Sequence, residues 1–361
     1  MYRLCYITRN YRSLNGAGNK AKTDNECTLQ QIGAINLGIH TTHYDNAVAT
    51  FFLNLASIIR MMFCVRRTDI IVLQYPVKKY YTFLCRIARW RGAKTITVMH
   101  DLMALHRHRI SISTEASRLS HTDYIIASND AMKRWIESLG VKCPIGSLGL
   151  FDYRSEATPE KRSYDNAKGR HWSIVYAGSV STRKNTYLLQ LAQSDISYDL
   201  HIYGKTDRLP GLAQTRHAIC HPFTPPEDFI RSAEGDFGLV WDGNSLDNCT
   251  GDFGEYLRLN SPHKVSFYLR AGLPVIIWKE AAVAPIIQQE GIGLCIDSMT
   301  ELDSLLLSVT DEQMQQMQTN IQQVSERLKN GYYLLQAINK ALETMSTGQN
   351  NHFNNEKPCQ S

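Results

Sequence analysis

The stretch Asn260-Ser261-Pro262-His263-Lys264-Val265-Ser266-Phe267-Tyr268-Leu269-Arg270-Ala271-Gly272-Leu273-Pro274-Val275-Ile276-Ile277-Trp278 allows few local structures. Ser261 is a capping residue and Pro262 suits a first turn, since proline has no amide to orphan; a helix is predicted to begin at Pro262. Val265, Tyr268, Leu269 and Gly272 share one face at helical spacing, and Gly272 is placed to end the helix in a left-handed conformation. The chain then enters a buried strand, Val275 to Trp278. His263 and Lys264 fall among the free amides of the first turn, where the helix dipole disfavours a basic side chain. A bound phosphate or diphosphate would compensate, with amides, dipole and ammonium directed at the same oxygens. A solvated lysine at a surface helix end is the other reading.

At 361 residues the chain favours two domains over one. Its 43% hydrophobic and 20% charged residues are those of a soluble globular protein. A net charge of +5 is too small over this length to imply nucleic acid, although it suits a phosphate-bearing ligand or an anionic membrane face. Nine cysteines without a C-x-x-C pair point to reduced thiols in a cytoplasmic protein, not to a disulfide or zinc framework. Met1 to Thr8 has a strand pattern, not that of a signal peptide. The longest apolar run, Phe51 to Val65, is about five residues short of a span and holds Arg60, so it is expected to be a packed helix.

The first half alternates strands and helices. Tyr2 to Thr8 is a strand, followed by a loop holding Gly16, Gly18, Asn19 and Lys20, and then by a helix from Ala21 to Leu37. The glycine spacing is not G-x-G-x-x-G, so no dinucleotide site is inferred. A helix from Asn46 to Val65, a strand Asp69–Gln74, a helix Val77–Arg91 and a strand Lys94–Met99 give a parallel, doubly wound pattern. His100 and Asp101 follow that last strand directly, and the carboxyl ends of strands line the ligand crevice of open α/β sheets. They are candidates for chemistry; capping of a following helix is the structural alternative.

After a polar, aperiodic linker at residues 151–168, the grammar repeats. A strand from Trp172 to Ala177 leads into the loop Gly178-Ser179-Val180-Ser181-Thr182-Arg183-Lys184, whose small residues let amides approach a ligand while Arg183 and Lys184 add charge. An ordinary exposed loop would look the same. The polar, glycine-rich run from Asp242 to Tyr256 is predicted to be an active-site loop. From Thr310 onward the chain is predicted to be helical, and residues 347–361 to be a disordered tail.

Two such halves with a phosphate-directed helix in the second resemble the GT-B glycosyltransferase fold. The stretches 237–243, 254–256, 260–264 and 271–278 sharpen the resemblance to the bacterial family of β-1,6-galactofuranosyltransferases, which includes glucosyltransferases that extend O-linked N-acetylglucosamine on adhesins. Asn19-Lys20-Ala21 with Asp24, His100-Asp101, Tyr176-Ala177-Gly178 and Asn330-Gly331-Tyr332 also match. The resemblance implies an α/β fold of two Rossmann-like, doubly wound domains facing a central cleft. Residues 1–150 would bind the acceptor, residues 169–320 the nucleotide sugar, and a helix at 321–346 would pack back on the first domain. Many retaining GT-B enzymes carry an E-x7-E pair before the A-x-G-x-P-V turn; here Leu259 and Phe267 hold those positions, which fits an inverting family.

The resemblance further implies that Lys264 and His263, with the loop around Gly178 and Ser179, face the UDP diphosphate while the Gly16 to Lys20 loop closes from the N-terminal domain; the expected UDP-binding set is Gly16, Gly18, Asn19, Lys20, Gly178, Ser179, Arg183, Tyr203, Gly204, Tyr256, Asn260, Ser261, His263 and Lys264. The expected activity is transfer of a hexosyl group, galactofuranose first and glucose second, from a UDP-sugar to a glycan or lipid-linked acceptor. Asp101, through or beside His100, would be the general base. No cofactor and no metal are expected, because no D-x-D pair follows a strand and positive side chains would stabilise the departing UDP. The expected location is cytoplasmic, at the inner face of the membrane; peripheral membrane contact and homo-oligomerisation stay open. A non-catalytic nucleotide-sugar-binding subunit is the contrasting function. An epimerase would need a cofactor fingerprint and a Tyr-x-x-x-Lys motif that the chain lacks.

Overall fold

A computed structural model describes residues 2–11, 17–77, 80–106, 109–162, 164 and 169–353. The chain divides into two compact units: Met1–Leu148 with Tyr332–Ser361, and Gly149–Gly331.

The first unit runs β1 (Arg3–Tyr6), α1 (Ala17–Gln31), β2 (Ile35–Asn36), α2 (Ala47–Cys64), β3 (Asp69–Tyr75), α3 (Tyr81–Trp90), β4 (Lys94–Met99), α4 (Met103–His106), α5 (Ile112–Leu119), β5 (Tyr124–Ala127), α6 (Asp130–Ser138) and β6 (Ile145–Ser147). Its six strands are parallel in the order β2-β1-β3-β4-β5-β6. The strand order reverses between β1 and β3, where the crevice of such a sheet opens. Side-chain caps start the helices: Asn46 accepts from the amides of Val48 and Ala49, Ser111 from Thr114, and Asn129 from Met132.

The second unit runs β7 (Ser173–Ala177), α7 (Thr186–Gln193), β8 (Asp199–Tyr203), β9 (Ala218–His221), α8 (Pro226–Ser232), β10 (Phe237–Val240), α9 (Gly251–Tyr256), α10 (His263–Arg270), β11 (Val275–Trp278), α11 (Ala284–Glu290), β12 (Gly293–Ile296), α12 (Leu302–Ser308) and α13 (Asp311–Lys329). Its strands are also all parallel, in the order β12-β11-β10-β7-β8-β9. This is the dinucleotide-fold order, with its reversal between β7 and β10. The buried runs Ile174–Ala177, Phe237–Val240 and Val275–Trp278 explain the burial on both faces that a parallel sheet demands. The last helix, α14 (Tyr332–Phe353), returns to the first unit, where it packs on β5, β6 and α1.

Several local expectations need correction. The predicted helix from Ala21 to Leu37 is instead α1 and β2: the chain turns at Gly33, whose φ is 77°, and Ile35–Asn36 pair with Cys5–Tyr6. A two-residue strand shows no period in a sequence. The helical region after Thr310 is broken at Gly331, φ 74°, between α13 and α14. Residues 151–162 carry no regular element but belong to the second unit, with Phe151, Asp152 and Tyr153 buried. Residues 347–353 of the predicted tail instead continue the last helix to Phe353, and residues 354–361 lie outside the described residues. The apolar helix α2 is not packed all round: it buries Ser57, Ile58 and Met61, while Val48, Phe51, Phe52, Ile59 and Phe63 are exposed.

Candidate active site

Helix α10 starts at His263, with Pro262 in the capping position and no side-chain cap. Ser261 is not the cap; its hydroxyl donates to the Gly149 carbonyl at 3.2 Å instead. Among the described residues no side chain caps the first turn of this eight-residue helix, whose N-terminal end carries the positive pole of the helix dipole. At the other end the amide of Leu273 bonds to Tyr268 O and that of Gly272 to Leu269 O, a Schellman closure with Gly272 at φ 72°.

Lys264 points back toward the end of β7. Its ammonium lies 3.6 Å from the centroid of the Tyr176 ring, and a Cβ on Gly178 would come within 3.1 Å of Lys264 Cε. Tyr176 is fixed in turn: its hydroxyl donates to Ser179 O at 3.1 Å and accepts from Asn185 Nδ2 at 2.9 Å. A Cβ on Gly204 would collide with the Gly178 carbonyl, so both glycines are needed for the close approach of these strand ends. Asp242, just past β10, acts on the Lys264 charge but is paired with Lys184 at 3.2 Å. Among the described residues Lys264 makes no ion pair. Burial, and then the Lys184 charge, push its pKa well below that of an ordinary lysine, with Asp242 opposing. A ring face offsets only part of the cost of enclosing an ammonium. Two enclosed acceptors of this unit, Asp242 Oδ1 and Asn260 Oδ1, have no hydrogen-bond partner among the described residues, and Asp242 acts on the Lys264 charge. An ammonium short of anions and oxygens short of donors suit a ligand with phosphates and hydroxyls.

Other expected residues are distributed around this centre. Arg183 stacks its guanidinium 4.9 Å from the Phe253 centroid, and Lys184 approaches the same ring at 5.6 Å. Phe253 lies in α9, so the predicted active-site loop at 242–256 contains a helix. The ring of His263 stands 4.9 Å from that of Tyr153, and its Nε2 is 3.4 Å from Asp152 O. Tyr256 is buried. The carbonyl of Tyr203 accepts the Gly178 amide at 2.9 Å, whereas its ring stacks on His221 at 4.0 Å. Gly16 lies outside the described residues; Gly18, Asn19 and Lys20 are in the first turn of α1, where Lys20 pairs with Asp24 at 2.6 Å. Sequence reasoning missed the roles of Tyr176 and Asp242, although both follow the rule that matters at this place, being at or just beyond strand ends.

In the first unit a cavity of about 570 Å³ opens at the β1/β3 reversal, lined among others by Asn10, Tyr11, Asn19, Gln74 and Asp101. His100 is buried behind it, with Nε2 3.0 Å from Gln74 Oε1, which also accepts from Asn25 Nδ2 at 3.1 Å. Of the predicted pair, then, Asp101 lines the cavity, while His100 fixes Gln74 from behind. Glu26, not foreseen as a site residue, lies below it. Burial pushes its pKa up to about 7 even though Thr8 and Tyr11 both donate to it.

Profiles of the glucosyltransferase 3-like N-terminal and C-terminal domains match residues 4–150 and 174–341. The chain belongs to the glucosyltransferase 3-like family. It is 26% identical over 284 residues to the β-1,6-galactofuranosyltransferase WbbI of Escherichia coli (strain K12), covering 77% of this chain and 81% of that one. It is 28% identical over 180 residues to glucosyltransferase 3 of Streptococcus gordonii, covering 44% and 53%. Among solved structures it resembles a glycosyltransferase from Rickettsia africae ESF-5, with TM-score 0.55, 11% identity and coverage of 95% and 97%. WaaG, a glycosyltransferase involved in lipopolysaccharide biosynthesis, gives TM-score 0.50 at 11% identity, covering 92% and 98%. The fold is therefore GT-B, and this member of the family is a glycosyltransferase.

Proposed function

We propose that the chain is an inverting, metal-independent transferase that moves a hexosyl group, galactofuranose first and glucose second, from a UDP-sugar to a glycan or glycolipid acceptor. The observation that carries this reading is Lys264: an enclosed ammonium at the β7/β10 reversal, stacked on Tyr176 and without an ion pair among the described residues, in the first turn of a helix that no side chain caps. A diphosphate meets all of these needs at once. The acceptor would occupy the cavity of the first unit beside Asp101. Its hydroxyl oxygen attacks the anomeric carbon as the bond to UDP breaks; Asp101 takes the hydroxyl proton, and Lys264 with the amides stabilises the leaving diphosphate. An inverting course is supported by α10 itself, where Phe267 is stacked at 4.4 Å on Phe229 and supplies no carboxylate for a retaining mechanism. No cofactor is needed for this chemistry.

The test is direct. UDP-galactofuranose or UDP-glucose at 100 times its dissociation constant should stabilise the fold by about 2.7 kcal/mol, and should be hydrolysed slowly without acceptor. Binding with neither hydrolysis nor transfer would favour a nucleotide-sugar-binding subunit; the absence of any UDP-dependent stabilisation would refute the donor assignment.

We further place the protein in the cytoplasm at an anionic membrane face, where a lipid-linked acceptor would be presented. Cys5, Cys64, Cys85, Cys143, Cys220, Cys249 and Cys295 are free thiols, which suits a reducing compartment. Helix α2 is apolar and long enough to cross a membrane, yet it is the crossover between β2 and β3, parallel strands that flank β1 in one sheet, so both of its ends are tied to that sheet. Phe63 at 77% exposure and Trp90 at 76% stand at neighbouring helix ends, where Arg91 donates to Met62 O at 3.0 Å; Arg66, Arg67, Arg86 and Arg89 are exposed around them. Interfacial aromatics ringed by arginine suit headgroups. Vesicles of phosphatidylglycerol and phosphatidylcholine should sediment the parent protein, and a Phe63→Ser, Trp90→Ser variant should bind about 10-fold less or weaker still. Equal sedimentation of both would reject the contact.

A further inference from the structure

The outer strands of the second sheet carry a group of side chains that the transfer reaction does not use. His201 on β8 and His221 on β9 face each other, with His221 Nε2 3.0 Å from His201 Nδ1; Glu234, in the turn between α8 and β10, brings Oε2 to 4.0 Å from the same Nδ1. All three ligand atoms lie within 4.8 Å of one another. We propose that His201, His221 and Glu234 bind one divalent transition-metal ion of the zinc class as a structural clamp.

Three features favour a metal over a plain histidine pair. First, the spacing is close to that of a ligand set. Zinc bonds of about 2.0–2.1 Å in a tetrahedron put neighbouring donor atoms about 3.3–3.4 Å apart, between the two observed separations. Glu234 is exposed and free to shorten its approach, and water can fill the fourth position. Second, the surroundings hold the ligands in place. The Tyr203 ring is parallel to that of His221 within 2° at 4.0 Å, and the Tyr203 hydroxyl accepts the Glu234 amide at 2.8 Å. Arg162 donates to the carbonyls on either side of Glu234, those of Ala233 and Gly235. The turn bearing the carboxylate is thus fixed before any ion arrives. Third, the charge balance suits a cation. Glu234 sets a carboxylate beside the two imidazoles, and Asp199 and Asp236 add negative potential at His201. Two imidazoles and one carboxylate select zinc, cobalt or nickel over magnesium or calcium.

Such an ion would tie β8, β9 and the lead into β10. A removable clamp, not a catalytic metal, is what the geometry supports.

The experiment uses full-length protein without a histidine tag, stripped with EDTA. Titration with Zn²⁺ should show one saturable site per chain and raise the melting temperature, and Co²⁺ should give the visible absorption of a tetrahedral site. His201→Ala and His221→Ala should each weaken zinc binding by at least about 100-fold, the upper end of what loss of a metal's outer hydrogen-bond partners costs; Glu234→Gln should weaken it by about 10-fold. Should an alanine variant fail to fold, the titration and cobalt spectrum of the parent protein decide alone. Absence of saturable zinc binding by the parent, or zinc binding that persists at full strength without both histidines, overturns the proposal and leaves a hydrogen-bonded histidine pair.

Discussion

Asp101→Asn is expected to depress turnover by about 10²- to 10⁴-fold while leaving UDP affinity nearly unchanged. Asparagine keeps the shape of the side chain and its place on the cavity wall after β4 but cannot take a proton. The separation of effects follows from position, since UDP is assigned to the other unit. A base also leaves a signature in pH: the acidic limb of the kcat/KM profile of the parent should disappear in the variant. Turnover equal to that of the parent would remove Asp101 from the reaction. A uniform loss of activity together with a lowered melting temperature would make it a structural residue. His100 is a positioning residue in this scheme, acting on the cavity through Gln74.

Lys264→Ala should weaken UDP binding by about 10- to 150-fold, the equivalent of roughly 1.5–3 kcal/mol for a charge-assisted contact. The fold should survive, because the ammonium is not part of an ion pair that alanine would break. The depressed pKa adds a second measurement. In the free protein, burial opposes the charged form; a bound diphosphate favours it, so the pKa of Lys264 rises on binding. Between the free and bound values, binding must take up a proton, and affinity must fall as pH rises through that window. Calorimetry in buffers of different ionisation enthalpy should show this uptake in the parent and lose it in Lys264→Ala. A variant that binds UDP as tightly as the parent, with the same proton count, would show that the first turn of α10 does not hold the phosphates.

The two sheets were legible because parallel strands, covered on both faces, are written as runs such as Ile-Val-Tyr-Ala and Val-Ile-Ile-Trp, and because glycine marks where the helix before a strand must stop. Ile35–Asn36 was illegible for lack of length, and α2 because an apolar sequence does not reveal whether protein covers it. At the site, Lys264 stood out through a local conflict between its charge and the dipole of its helix. Its setting did not. The Tyr176 ring under the ammonium and the pairing of Asp242 with Lys184 join residues far apart in sequence, and only the sheet order brings β7 and β10 side by side. Ser261 shows the converse error. Its type and position satisfied the rule for a cap, but the helix begins one residue later, with Pro262 in the capping position, and Ser261 instead donates its hydroxyl proton to the Gly149 carbonyl.

The return of α14 sets an order for events on the ribosome. The second unit is one unbroken segment, Gly149–Gly331, and can close its core as soon as that segment has emerged. The first unit begins earlier but must wait, because Leu334, Ile338 and Ala341 of α14 are buried and the helix packs on β5 and β6. Until α14 is made, the flank of that sheet stays uncovered, and a nascent chain stalled near Gly331 would hold a finished second unit and an unfinished first one. N-terminal domains generally fold first during synthesis; here the half that starts first is completed last.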